Sequence, residues 1–223
     1  MPSDDIQQPQ GIPIIVFVSL LAIAGAVAWI YYHQPEASQR FDLSPYRARG
    51  AGVAEETARL LGKKGQVLVI ARDTSQHPNP SAEGELNTFQ ETLKKNGLTV
   101  AATVRFNLTM QQTLETGGAL PGDQFLEALR SHPHVEAVVL FCGFPPLAAQ
   151  DYEMLKQSGA KFVVSSGYFP GYRKLLETKV IHLAIVPRFD RAAAPAKTPQ
   201  TLREWFESQF TVITPDNTAA LPY

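Results

Sequence analysis

The chain has 223 residues, of which 44% are hydrophobic and 18% charged, a composition that excludes wholesale disorder and allows a sizeable core. Its net charge of −1 lacks the basic excess of nucleic-acid-binding proteins, so we expect no nucleic-acid partner. The single cysteine, Cys142, excludes an intramolecular disulfide and a cysteine-rich zinc site.

The N-terminal region predicts a membrane helix. Residues 12–32 carry no charge, and 21 residues at 1.5 Å per residue cross the roughly 30 Å hydrocarbon layer. We therefore expect a polar tail over 1–11, an uncleaved signal anchor in the lipid bilayer over 12–32, and a linker over 33–50. A cleaved signal peptide is the alternative, but such peptides begin with positive charge, whereas the first 11 residues contain Asp4 and Asp5 and neither Lys nor Arg.

The charges around the predicted anchor bear on its orientation in the cell membrane. Arg40, Arg47 and Arg49 follow the apolar segment and no basic residue precedes it. The positive-inside rule therefore favours a cytoplasmic C-terminal domain, although large domains often cross the membrane regardless of charge.

Residues 51–214 predict one α/β domain in which β-rich apolar runs alternate with amphipathic helices. The first helix carries Ala54, Ala58 and Leu61 at helical spacing. The predicted strands are 66–71, 99–106, 135–142, 161–165, 180–186 and an edge-like sixth at 210–214. Such alternation is typical of a three-layer, doubly wound, mainly parallel sheet of five to six strands. We expect residues 107–122, with Gly117 and Gly118, to form a long mobile loop, and residues 215–223 an irregular tail.

Polar residues follow the predicted strands, where open α/β sheets bind their ligands. Asp73 and Thr74 follow the first strand, Ser166 follows the fourth, and Arg188 follows the fifth. A carboxylate, two hydroxyls and a guanidinium are suited to holding a small polar solute. These four residues are the predicted binding site, although strand ends also lead into polar turns for purely structural reasons.

No catalytic or cofactor motif stands out. The chain contains no dinucleotide-binding G-x-G-x-x-G, no phosphate-binding loop and no G-x-S-x-G nucleophile elbow. We expect no cofactor and no metal site, since His132 and His134 lack acidic or cysteine ligands at suitable spacing. Cys142, in the apolar run 138–142, is interpreted as a buried small side chain or as a nucleophile at a strand end.

The stretch from Gln66 to Gly143 resembles one lobe of the type I periplasmic-binding-protein fold. The resemblance rests on VLVIARD, GELNTFQETLKKNG, LTVAATVRF and FLEALRSHPHVEAVVLFCG, and it continues through KFVVSSGYF and VIHLAIVPR. Flavodoxin-like and receiver-like domains share this pattern. The resemblance implies an extracytoplasmic domain whose residues Asp73, Thr74, Ser166 and Arg188 face a ligand. Family members close two lobes on their ligand, and the resemblance leaves a homodimer as one option, since dimerisation of a one-lobe chain would rebuild a cleft.

These observations favour a membrane-anchored, non-enzymatic α/β module that binds a small solute or a protein partner. One alternative is a membrane-anchored, hydrolase-like enzyme that uses strand-end groups such as Asp73, Ser166 and His77. A second alternative is a structural component of a membrane assembly.

Overall fold

A computed structural model describes residues 14–33, 42–62, 64–167, 171–189 and 198–221. The chain divides into two units, Met1–Asp42 and Leu43–Tyr223. The predicted polar tail over 1–11 lies outside the described residues, as do residues 34–41 of the predicted linker.

The first unit contains one helix, α1, over Ile14–His33. The large apolar side chains described between residues 16 and 29 are exposed, including Phe17, Leu21 and Trp29. Over the part of the chain that the structure describes, no helix meets the combined length and hydropathy requirements of a membrane span.

The second unit is built on a six-stranded sheet with the order β2-β1-β3-β4-β5-β6. All neighbouring strands pair in parallel except β5 and β6, which are antiparallel. The strands are β1 Gln66–Arg72, β2 Thr99–Phe106, β3 Ala137–Leu140, β4 Lys161–Ser165, β5 Leu183–Pro187 and β6 Phe210–Ile213. This sheet confirms the predicted mainly parallel α/β architecture. Its six strands match the upper end of the predicted range of five to six.

Helices cover both faces of the sheet. The elements are α2 Ser44–Leu61, α3 Pro80–Lys95, α4 Met110–Thr116, α5 Gly122–Ser131, α6 Ala149–Gln157, α7 Tyr172–Glu177, α8 Leu202–Gln209 and a 3-10 turn at Thr218–Ala220. Because the central strands are buried on both sides, they are continuous apolar runs: β3 reads AVVL and is buried at every position.

Alternate residues of each strand enter two separate cores. Leu68 and Ile70 of β1 pack with Phe125 of α5 and Leu155 of α6. Val67 and Val69 point the other way and join residues of α2, α3 and α8. This alternation follows from the two-residue period of a strand and gives the three-layer arrangement.

Three segments differ from the sequence-based expectation. Helix α2 begins at Ser44, inside the predicted linker over 33–50, because Pro45 occupies the first helical turn, where its missing N–H costs nothing. The predicted loop over 107–122 contains α4, which Thr109 begins with a capping box to Gln112. The predicted irregular tail includes the 3-10 turn and the buried Leu221, whose carbonyl accepts a hydrogen bond from Arg173.

Candidate functional site

The strand order places a topological switch point, here called the crevice, between the carboxyl ends of β1 and β3. After β1 the chain crosses to β2 on one side of β1, whereas after β3 it continues to β4 on the other side. At such a switch point the two connections leave in opposite directions, which opens a gap where α/β proteins bind ligands. The residues directly after β1, Asp73 to Ser75, and those after β3, from Phe141, flank this gap.

Asp73 is the centre of a polar network at the β1 side of the crevice. Its Oδ1 accepts the Ser75 N–H at 2.9 Å, and its Oδ2 accepts the Ser75 hydroxyl at 2.9 Å and Asn107 Nδ2 at 3.1 Å. Asn107 follows the neighbouring strand β2, so the parallel pairing of β1 and β2 brings the two residues together. The hydrogen bonds from Ser75, first the backbone N–H and then the hydroxyl, lower the pKa of Asp73. The network therefore presents an ionised carboxylate beside a carboxamide.

A second network adjoins the first. Arg105, near the end of β2, donates to both carboxylate oxygens of Glu83 at 2.7 and 3.2 Å. Thr74 also donates its hydroxyl to Glu83, which lies in the first turn of α3. The hydrogen bonds from Arg105 and then from Thr74 lower the pKa of Glu83. Both side chains of the ion pair remain more than a third exposed, so the pair is accessible from solvent.

Ser166 and Arg188 lie at the other end of the same sheet edge. The Ser166 hydroxyl lies 2.6 Å from Tyr172 Oη and 3.1 Å from the carbonyl of Gly167, to which it donates. Burial raises the pKa of Tyr172, so that phenol stays neutral. Arg188 is exposed, and its backbone N–H donates to Gln209 at 2.7 Å. Ser166 therefore contacts a neutral phenol and a carbonyl in place of the base that an activated serine requires.

The spacing of strands divides the four predicted residues into two groups. Strands β1 and β5 are separated by β3 and β4, and three strand spacings amount to roughly 14 Å. Asp73 and Thr74 belong to the β1 group, whereas Ser166 and Arg188 belong to β4 and β5. The strand order therefore separates the backbones of the two groups, and the single four-residue site stays a prediction.

Sequence reasoning missed Glu83 and Arg105 as members of the site. Asn107 was recognisable as the residue after β2, and it becomes important through its bond to Asp73. Glu83 and Arg105 are 22 residues apart and pair only because α3 starts above the end of β2. The one signal for Glu83 was its place in the first turn of a helix that Asn79 caps by accepting from Ser81 and Ala82.

Cys142 lies on the β3 side of the crevice but is buried, with 6% of its surface exposed. Burial raises the pKa of its thiol to about 11. The hydrogen bond to the Leu120 backbone acts in the opposite direction, but its effect is smaller than that of burial. A thiol with this pKa is almost entirely protonated at neutral pH, and the thiolate is the nucleophile. The geometry favours the interpretation of Cys142 as a packing residue.

The chain matches no protein-family model and no curated protein. It is similar in fold to several solved structures, at TM-scores just above 0.5. An arabinose-binding protein from Geobacillus stearothermophilus is 17% identical, with a TM-score of 0.51 over 78% of this chain and 62% of that chain. A solute-binding protein of an ABC transporter from Burkholderia graminis, in complex with D-arabinose, is 16% identical, with a TM-score of 0.53 over 79% and 62%.

A substrate-binding protein of a sugar transport system from Bordetella parapertussis is 13% identical, with a TM-score of 0.54 over 79% of this chain and 58% of that chain. The chain thus spans about 60% of the length of these structures. At these identities the similarity concerns the fold alone. The chain therefore has an α/β fold that resembles the type I periplasmic-binding-protein-like fold of sugar-binding proteins, as its strand and helix patterns predict.

Proposed function

We propose that this protein is a membrane-tethered module that binds a small polyhydroxylated solute at the crevice between β1 and β3. The observation that carries the proposal is the Asp73–Asn107 pair at the carboxyl ends of β1 and β2, which borders that crevice through Asp73. A carboxylate accepts hydrogen bonds from hydroxyl groups, and a carboxamide both donates and accepts them. Together they suit the alternating donors and acceptors of neighbouring hydroxyls.

The charges near the crevice also favour an uncharged solute. The lowered pKa values of Asp73 and Glu83 keep both carboxylates ionised at neutral pH, and Arg105 is already paired with Glu83. An anionic ligand would meet two carboxylates, and both nearby guanidinium groups are engaged, Arg105 with Glu83 and Arg72 with the Gly118 carbonyl. A neutral polyol instead gains charge-assisted hydrogen bonds without burying a charge of its own.

The similar solved structures support the same class of ligand. Two of them are described as an arabinose-binding protein and a complex with D-arabinose. Their fold places ligands at the carboxyl ends of parallel strands, which is the edge where Asp73 and Asn107 lie. We extend that ligand class to this chain as part of the proposal.

Isothermal titration of the soluble unit with D-arabinose, L-arabinose, D-xylose and D-galactose tests the binding proposal. We expect at least one sugar to bind the wild type, and Asp73→Ala to weaken that binding by at least about tenfold, the size of one hydrogen bond to a charged group. Asp216→Ala is the matched control. Asp216 is exposed and follows the end of β6, at the edge of the sheet opposite the crevice. Failure of every sugar to bind, or equal weakening by both variants, would contradict the proposal.

The tether is the second part of the proposal. Residues 12–32 carry no charge, and the described apolar side chains of α1 are exposed. Of the three arginines that favour a cytoplasmic domain, Arg47 and Arg49 lie in helix α2 of the folded unit, which leaves Arg40 alone in the linker. Folded domains often cross the membrane regardless of their charge, so we place the α/β unit on the extracytoplasmic side.

Labelling of an introduced cysteine in intact cells tests the tether and its orientation. Cys142 is buried, so the wild-type chain should give little background. We expect Ser38→Cys to react with a membrane-impermeant maleimide before lysis, and the full chain to sediment with membranes. Reaction only after lysis would reverse the orientation, and recovery of the full chain from the aqueous fraction would remove the tether.

A further inference from the structure

Helix α4 turns its apolar side chains towards solvent. None of its seven residues is buried, and Met110 and Leu114 are 77% and 78% exposed. These residues are four positions apart and therefore share one face of the helix. In a surface helix such a face ordinarily packs on a core, so the outward orientation of this pair calls for an explanation.

The helix is held together by its own local bonds. Thr109 and Gln112 form a reciprocal capping box at its start, Gln111 donates to Glu115 at 2.8 Å, and Gly117 ends it in a left-handed conformation. None of its residues is buried, so local bonds rather than core packing hold the helix together, and α4 can move as a unit.

Both ends of α4 are fixed at the rim of the crevice. On one side, Asn107 donates to Asp73. On the other side, Arg72 Nη2 donates to the carbonyl of Gly118 at 3.2 Å. Gly117 and Gly118 have φ values of +61° and +88°, in the region that glycine enters without strain. The segment therefore spans the rim from β2 towards β3, and it has a glycine pair at one end.

We infer that α4 is a lid that closes over the crevice when the solute proposed above is bound, and this inference rests on that proposed function. In the closed position Met110 and Leu114 turn inwards and exclude water from the hydrogen bonds to Asp73. Asn107 couples binding of the solute at Asp73 to closure of α4. Its side-chain amide donates to Asp73, and its backbone leads directly into α4. Asn107 is thus a positioning residue for the lid as well as a ligand-binding one.

The size of the apolar face favours a lid over a docking surface for another protein. Two exposed apolar side chains are far fewer than the roughly 20–30 residues per partner of a standard interface. They are enough to cover one small solute. A second copy of the chain on this face is the competing explanation, and it predicts association that depends on concentration.

The test compares two variants with the sugar from the panel that binds the wild type most tightly. Met110→Ser with Leu114→Ser removes the apolar face, and Met154→Ser is the matched control because Met154 is 43% exposed on α6. We expect the double variant to bind that sugar at least about tenfold more weakly, since closure no longer buries apolar surface, and the control to change affinity less than twofold. Hydrogen exchange across residues 108–118 should slow when the sugar is added to the wild type.

The outcomes separate the lid from the proposed function. Sugar binding with unchanged exchange over 108–118, or with equal affinity in the double variant, would overturn the lid and leave the binding site in place. Loss of concentration-dependent dimers in the double variant would assign the face to a second copy instead. Absence of binding by any sugar of the panel would remove both proposals together.

Discussion

Helix α3 carries two glutamates, Glu83 and Glu85, each of which pairs with an arginine from another element. The two pairs differ in exposure and in the direction in which the glutamate pKa is shifted. Glu83 pairs with Arg105 at the crevice, and the two side chains are 36% and 38% exposed. Glu85 pairs with Arg49 of α2 through two hydrogen bonds, and its side chain is only 4% exposed. The pKa of Glu83 is lowered by its hydrogen bonds, whereas burial raises the pKa of Glu85 despite its partner.

The difference shows how exposure decides what an ion pair does. A buried pair must offset the loss of hydration of both charges, so it persists only where surrounding contacts hold it in place. An exposed pair contributes little to stability, and it can exchange partners with water or a ligand. We therefore assign the Glu85–Arg49 pair to the joint between α2 and α3 and the Glu83–Arg105 pair to the site.

The surroundings of Glu85 support this assignment. An added Cβ at Gly50 of α2 would lie 2.1 Å from the carbonyl oxygen of Glu85, so the two helices touch through their backbones. The Arg49 guanidinium also lies 5.7 Å from the ring centroid of Phe210 in β6. Charge, close backbone contact and an aromatic ring thus act together to fix α2 on its neighbours.

The largest expected effect is that of Gly50→Ala. The added methyl group must push α2 and α3 apart, so we expect a loss of about 3 kcal/mol or more in the free energy of unfolding. Gly84→Ala is the matched control on α3, because the nearest atom to its added Cβ is 3.9 Å away, and it should be neutral or stabilising by up to about 1 kcal/mol. Urea unfolding of both variants measures the difference, and equal stabilities would contradict the close contact of α2 and α3.

A smaller effect should separate the two glutamates. We expect Glu85→Ala to cost on the order of 3 kcal/mol, because it leaves the partly buried Arg49 without its partner. Glu83→Ala should cost less than about 1 kcal/mol, because Arg105 can be hydrated. Chemical denaturation at pH 7 provides both values, and a larger loss for Glu83→Ala would reverse our assignment of the two pairs.

The last prediction concerns the pH dependence of stability and a histidine that lies away from both pairs. Burial, then Lys161 and Lys179, lowers the pKa of His182 to about 4, while its Nδ1 accepts the Phe162 N–H at 3.3 Å. In the unfolded chain His182 binds a proton near pH 6.5, whereas in the folded chain it binds one only near pH 4. The free energy of unfolding therefore falls as the pH drops from about 6.5 to 4. His182→Asn keeps an acceptor without this titration, and it should reduce that loss by about 1–2 kcal/mol. Parallel curves of unfolding free energy against pH for the two proteins would contradict this explanation.

Much of the fold was predictable because the central strands are buried on both faces. The apolar run of β1 and the strand at Thr99–Phe106 could be placed within about one residue. The start of α2 at Ser44 could not, because its buried face consists of small residues such as Ala48 and Gly50, which give no strong periodic signal. Helix α4 was also missed, since its apolar pair faces solvent and short local caps alone define it.

The site was predictable only in part. The positions of Asp73 and Thr74 follow from the rule that polar residues after parallel strands meet at one edge. Their separation from Ser166 and Arg188 depends on strand order, because β3 and β4 intervene, and periodicity does not report strand order. The contribution of Glu83 depends on a helix start meeting a strand end 22 residues later in the chain.

The most direct test of the central claim is amide chemical-shift mapping of the unit Leu43–Tyr223 during titration with the sugar that binds most tightly. We expect the shifts to change at residues 72–75 beside β1 and at residues 107–118, which follow β2 and include α4. Changes confined to the opposite edge of the sheet, around residues 132–136 and 179–182, would contradict a solute site at the β1–β3 crevice.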